Sequence, residues 1–146
     1  MKKANNGVKA EELFEQIILH RYGKTAFLHS LVDTKEIKGM TGTGFARASP
    51  SDYLLTVDGV MEYAEVKSCQ KRVSFPFSNF TPSQNAAMVR QTAAGGKYNI
   101  YIYNITTERW YVVPASLILS LRAADVHSIT WEYLEEEHMR WTFGRT

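Results

Sequence analysis

A single cysteine, Cys69, stands among the 146 residues. One thiol excludes an intrachain disulfide and a metal–thiolate cluster, and it makes a reducing compartment, the cytoplasm, the expected setting. Long apolar runs are also missing. The stretch from Leu13 to Leu19 is interrupted by Glu15 and Gln16, far short of the roughly 20 residues a membrane span requires. The basic start MKKANNGVKA has no apolar run behind it, so it does not read as a signal peptide and no membrane partner is expected. Excess charge is small, a formal +2, so any argument for nucleic acid must rest on where the basic residues lie. His20, His29, His127 and His138 show no ligand spacing, and no Gly-x-Ser-x-Gly elbow or Cys/His nucleophile pattern appears. The segment GMTGTGF lacks the Gly-Lys-Ser/Thr of a phosphate loop and does not complete a dinucleotide fingerprint; it reads as a flexible loop.

What remains is an ordinary globular composition, 45% hydrophobic and 22% charged, at a length that suits one domain spanning residues 1–146. GVKAEELFEQIILHRYG has helical spacing through Phe14, Ile17, Ile18 and Arg21, with Gly23 as its stop. TAFLHSLV is a plausible strand. TPSQNAAMVRQTAAGG reads as a helix with Thr81 as N-cap, Pro82 at the first position and Gly95-Gly96 as the stop. YNIYIYNI and RWYVVPA read as strands turning at Thr106 to Glu108, and buried packing accounts for their aromatics better than base stacking does. ASLILSLRAA is a short helix, and SITWEYLEEEHMRWTF a short helix followed by an edge strand. Glu135-Glu136-Glu137 reads as a solvated helix face. Phe75, Phe77 and Phe80 could belong either to the core or to a wedge against DNA. The order of elements predicts an α/β protein with a mixed central sheet flanked by helices.

The informative stretch is SPSDYLLTVDGVMEYAEVKSCQKR. Asp58-Gly59 favours a two-residue type I′ turn. With Val57 then facing Val60, the same register sets Asp52 opposite Glu65, and alternation puts Lys67 on the face of Glu65. Opposed like charges destabilise a sheet unless a cation lies between them. A divalent metal suits two carboxylates, with the Val66 carbonyl as a further oxygen donor. Lys67 is then placed to stabilise charge on a phosphate or to orient a water. The plain alternative is a solvated hairpin face with a Lys–Glu pair. Against it, Leu54, Leu55, Val57, Tyr63, Ala64 and Val66 are apolar on both faces, and the acids lie at strand ends.

Asp, a hairpin, then Glu-x-Lys resembles the PD-(D/E)xK nuclease core, here as PSDYLL and AEVKS. The longer run SPSDYLLTVDGVMEYAEVKSCQKRVSFPFSNFTPSQNAAM resembles the RecU-type Holliday junction resolvases of Gram-positive bacteria and their phages. It shares their Ser/Thr-x-Asp-Tyr start, Glu-x-Lys, a Ser-Phe-Pro…Asn-Phe loop and a glutamine in the next helix. The resemblance covers about Gly44 to Pro114 well and the N-terminal helix loosely. It implies a restriction-endonuclease-like core and a metal-dependent endonuclease that cuts four-way junctions as a homodimer, in the cytoplasm of a bacterium or of a phage's host. Asp52 and Glu65 would be ligands of Mg²⁺, with Mn²⁺ able to substitute, and Lys67 the catalytic lysine. Gln84 matches the family glutamine near the site. A metal-linked helix glutamate four residues after a glycine fits Glu11, with Glu12 as competitor; Glu11 leads because Phe14 and Ile18 follow it at i+3 and i+7. The family's longer, stalk-like insertion before the aspartate is replaced here by the short segment from Asp33 to Ala48. Beside such a site, Lys35, Lys38, Arg47, Lys71 and Arg72 are expected to grip DNA phosphates. The open alternatives are a PD-(D/E)xK nuclease with another DNA target, restriction-like or repair, and a non-catalytic DNA-binding module of the same fold.

Overall fold

The computed structural model describes residues 3–31 and 48–143. Helix α1 (Lys3–Tyr22) ends in a short 3₁₀ turn, where Gly23 takes a positive φ of 52°. Strands β1 (Ala26–Ser30), β2 (Tyr53–Val57) and β3 (Val60–Cys69) follow. A short strand β4 (Ser74–Pro76) and a 3₁₀ turn over Phe77–Asn79 lead to α2 (Pro82–Ala93). Then come β5 (Tyr98–Asn104), β6 (Arg109–Pro114), α3 (Ala115–Ala123), β7 (Ser128–Thr130) and α4 (Trp131–Glu136).

The main sheet has five strands in the order β1-β2-β3-β5-β6. Only the central β3–β5 pair is parallel; its neighbours are antiparallel. This is the mixed sheet expected, and α2 supplies the crossover that a parallel pair demands. The hairpin turn also forms as expected. Asp58 and Gly59 both have positive φ, 50° and 86°, as a type I′ turn requires, and Val57 pairs with Val60.

The sheet is covered on both faces. On one, α1 lays Ala10, Phe14 and Ile18 against Tyr53, Leu55, Ala64, Val66, Tyr101 and Trp110. On the other, Phe75, Phe77, Phe80, Met88 and Ile118 pack over Ile100, Ile102, Tyr111 and Val113. The three loop phenylalanines are therefore core residues, and the strand aromatics are packed rather than offered for stacking. Three features depart from the expectation. β7 precedes α4 and pairs with β4 in a separate two-stranded sheet. Glu135 is not a solvated face residue: it accepts from the Tyr111 hydroxyl at 2.6 Å and pairs with Arg109 and Arg140. The expected edge strand after α4 is a single bridge from Arg140 to Tyr111, extended by Val112 N–H to Met139 O and Trp141 N–H to Trp110 O. No described helix is long and apolar enough to cross a membrane.

Phe14 is fully buried, its ring centroid 5.4 Å from Tyr53, 4.9 Å from Tyr101, 6.2 Å from Trp110 and 5.5 Å from Trp141. It is the main apolar anchor of α1. Phe14→Ala is expected to cost about 3–5 kcal/mol in urea denaturation; a cost below about 1 kcal/mol would mean that α1 is held by other contacts.

Candidate active site

Backbone pairing between β2 and β3 runs from Val57↔Val60 to Tyr53↔Ala64 and there stops. At the next position the carboxylates take over. Asp52 N–H donates to Glu65 Oε1 at 3.1 Å, and Val66 N–H donates to Asp52 Oδ2 at 2.9 Å. Each acid thus accepts from the backbone of the opposite strand. The register argument holds, but the rung joining Asp52 to Glu65 is built from side chains. The segment ahead of Asp52 is pinned as well. Ser51 Oγ donates to Tyr53 O at 2.8 Å, the Tyr98 hydroxyl donates to Pro50 O at 2.6 Å, and Leu31 N–H donates to Asp52 O at 2.9 Å.

Glu65 keeps only 2% of its surface exposed. Loss of water, and then the charge of Asp52, push its carboxyl up to about 8, against the opposing pull of Lys67 and the Asp52 N–H. Burial disfavours a carboxylate's charged form and a like charge disfavours it further. Lys67 Nζ stands 3.6 Å from Glu65 Oε2, donates to Asn79 O at 2.9 Å and lies 5.5 Å from the Phe80 ring centre.

Gln84 contributes in two ways. As the third residue of α2 it completes a capping box: its Oε1 accepts from Thr81 N–H at 3.0 Å, and its backbone N–H donates to Thr81 Oγ1 at 3.2 Å. With Oε1 so engaged, Nε2 is turned to donate to Glu65 Oε2 at 2.9 Å. The sequence Thr-Pro-Ser-Gln signals the cap; the bond to Glu65 needs the fold.

Glu11 and Glu12 part as their helical phase requires. Glu11 is half-buried and Glu12 exposed. The charge of Glu11 reaches the Tyr53 hydroxyl, which is raised far above its ordinary range by burial first and by Glu15 next, with Glu11 and Asp52 adding to both. Sequence reasoning missed Glu15, whose Oε2 accepts from Tyr53 Oη at 2.6 Å and ties α1 to the residue after Asp52. It also missed Glu62, a half-buried acid on the α1 face that accepts from Asn99 and Tyr101 at 2.9 Å each. Lys71 and Arg72 are exposed just beyond β3. Lys71 lines a cleft of about 550 Å³ with Asn6, Ser68, Gln70 and Asn79. Lys35, Lys38, Arg47 and the GMTGTGF segment lie outside the described residues.

The Asp52 and Glu65 carboxylates are brought together at the end of the hairpin, tied to each other's strands through the Asp52 and Val66 N–H groups. Among the described residues no three His, Cys, Asp or Glu side chains gather as a metal-holding group. A two-carboxylate set fits Mg²⁺, which is commonly held by one or two carboxylates and completed by water and substrate phosphate. The raised Glu65 carboxyl points the same way, because a cation there would relieve the like-charge pair.

The fold and this cluster define an α/β protein with two acids and a lysine gathered where its central hairpin ends. The family model described as Recombination protein U, RecU, matches residues 18–145, and the chain belongs to that family. No curated protein matches it. Among solved structures it is similar to Hjc of Archaeoglobus fulgidus, described as a Holliday junction resolvase from an archaeal hyperthermophile. The TM-score is 0.48 and the identity 11%, over 76% of this chain and 78% of that one.

The raised Glu65 carboxyl has a consequence for stability. In the metal-free protein the folded state holds a proton that the unfolded chain releases near the ordinary carboxylate value. Stability is then fully present below that value and is lost as pH rises towards about 8. Urea titrations in chelator across this window should show falling stability for the wild type and a flatter profile for Glu65→Gln. Parallel profiles would show that Glu65 is not the group responsible.

Proposed function

We propose that this RecU-family protein is a DNA endonuclease that resolves four-way junctions, and that Asp52, Glu65 and Lys67 form its active site on a single domain. The observation that carries the reading is a pair of carboxylates, Glu65 buried and Asp52 half-buried, locked by reciprocal bonds, with a lysine ammonium 3.6 Å from Glu65. Membership of the family supplies the substrate class. Asp52, Glu65 and the Val66 carbonyl would hold Mg²⁺, or Mn²⁺ in its place, with Glu11 contributing from α1. When bound, the cation supplies Lewis-acid polarisation of the phosphate and favours ionisation of water.

The chain's own groups do the rest. Lys67 carries a positive charge at the mouth of the site, where charge grows on a phosphate oxygen as water attacks in line and the 3′-oxygen leaves. Gln84 holds Glu65 through Oε2, and the Asp52 N–H holds it through Oε1, so the carboxylate plane is fixed before substrate arrives. Lys71 and Arg72, with Lys35, Lys38 and Arg47, are the proposed phosphate contacts. Paired cuts in a symmetric junction call for two identical sites, which a two-fold homodimer provides.

Cleavage of a synthetic four-way junction beside plain duplex of the same sequence, in Mg²⁺, tests the reading. Paired nicks in strands of like polarity, and far slower cutting of duplex, are expected. Equal cutting of both by a monomer would reject junction resolution while keeping the nuclease. Lys67→Ala should lower kcat by about a hundredfold to a thousandfold with junction binding in Ca²⁺ little changed; a loss confined to binding at low salt would make Lys67 a phosphate grip. Glu11→Gln should impair cleavage more than Glu12→Gln, and the reverse order would remove Glu11 from the site.

A further inference from the structure

Lys67 is the one proposed active-site group whose long, flexible stem does not fix its own end. Such a side chain has many rotamers open to it, so its acceptors decide where the ammonium sits. Two of them, the Asn79 carbonyl and the Phe80 ring, belong to the segment Phe77–Phe80. Asn79 is itself exposed, so burial does not hold its carbonyl. Burial of the Phe77 and Phe80 rings and the Phe77 N–H bond to His127 O at 2.9 Å anchor the segment, and a second cation braces its carbonyl side from behind. Arg122, half-buried on α3, donates from Nη2 to Phe77 O at 2.9 Å and from Nη1 to Asn85 Oδ1 on α2. Its guanidinium carbon lies 5.5 Å from the Phe77 ring centre and 5.8 Å from that of Phe80. The Phe77 carbonyl also accepts from Phe80 N–H at 3.2 Å, the bond that closes the turn. Both cations therefore bear on Phe80, Lys67 from the site and Arg122 from α3, and both bond backbone carbonyls of the same turn.

We propose that Arg122 is a positioning residue for the active-site lysine, acting through the Phe77–Phe80 turn; this rests on the reading of Lys67 as the lysine of the nuclease site. The planar fork of arginine suits the task. It meets a carbonyl and an amide oxygen in one plane while its face lies against rings, which a lysine at the same place cannot do. Loss of the fork frees the turn, the Asn79 carbonyl shifts, and the Lys67 ammonium leaves its place by a distance that matters to chemistry. A misplacement of about 1 Å can cost around a hundredfold in rate.

The test uses Arg122→Met and Arg122→Lys in the full chain, with two readouts. The first is lysine labelling by an amine-reactive reagent, followed by mass spectrometry without DNA. Lys67, 17% exposed and bonded, should be protected in the wild type and labelled several-fold faster in both variants, with the other lysines unchanged. The second is junction cleavage. kcat should fall tenfold to a hundredfold with KM within twofold, and Arg122→Met placed on Lys67→Ala should cost nothing further, since the group it positions is gone. Unchanged Lys67 labelling in either folded variant, or an undiminished effect on Lys67→Ala, overturns the proposal. If Arg122→Met fails to fold, Arg122→Lys decides by the same labelling criterion. A wild type that cuts no DNA, with Lys67 labelled faster in the variants than in the wild type, would reject the nuclease reading and leave the positioning of Lys67 by Arg122 standing.

Discussion

Where β2 and β3 could add one more backbone rung, the protein substitutes two carboxylates. Asp52 and Glu65 each accept an N–H from the strand across, and this crossed pair governs what surrounds it. Ionising both would place two negative charges together where Glu65 is almost wholly out of water, and the Glu65 carboxyl is raised accordingly. A sheet gains nothing from that arrangement by itself, since like charges directly opposed weaken strand pairing and a buried charge is costly unless compensated. The surrounding structure supplies partial compensation: two backbone N–H groups, the Gln84 amide and the Lys67 ammonium. Under the proposed reading, a cation would offset the remainder. Strain of this kind persists at functional sites because the rest of the fold over-determines it.

The over-determination is visible on both faces. Beneath, α1 packs Phe14 among four aromatic rings and ties Glu15 to Tyr53, the residue next to Asp52. Above, the N-terminus of α2 is capped by the same glutamine that holds Glu65. Tyr98, on the strand beside β3, reaches across to the Pro50 carbonyl. The site is therefore carried by strands β2 and β3 and braced by one helix on each face. That is the arrangement in which side-chain geometry stays fixed without substrate.

Much of this was legible in the residues. Asp58-Gly59 allows few turns other than one with two positive φ values, and that turn fixes the register which sets Asp52 against Glu65. Thr81-Pro82 and Gly95-Gly96 bracket α2 by their own backbone chemistry. The phase of Phe14 and Ile18 separated Glu11 from Glu12. What could not be read was long-range and short in extent. Strands β4 and β7 are three residues each and some fifty positions apart, too brief for a periodic signal. Glu135 sits in an acidic run whose solvation is the natural reading; only the fold brings Tyr111, Arg109 and Arg140 to it. Phe75, Phe77 and Phe80 resolve into the core because Met88 and Ile118 arrive over them from two helices. Arg122, an isolated basic residue at the end of a short helix, carries no pattern at all.

Cation binding by the DNA-free protein tests the central claim most directly. Thermal unfolding of the wild type and of Asp52→Asn can be followed across a Mg²⁺ titration at constant ionic strength. A ligand that binds the folded state alone raises the midpoint by mass action. The account predicts a rise that grows with Mg²⁺ for the wild type and is absent for Asp52→Asn, which keeps the shape of the side chain and removes its charge. An equal rise in both proteins, or none in the wild type, would contradict the assignment of the Asp52–Glu65 pair as the cation site.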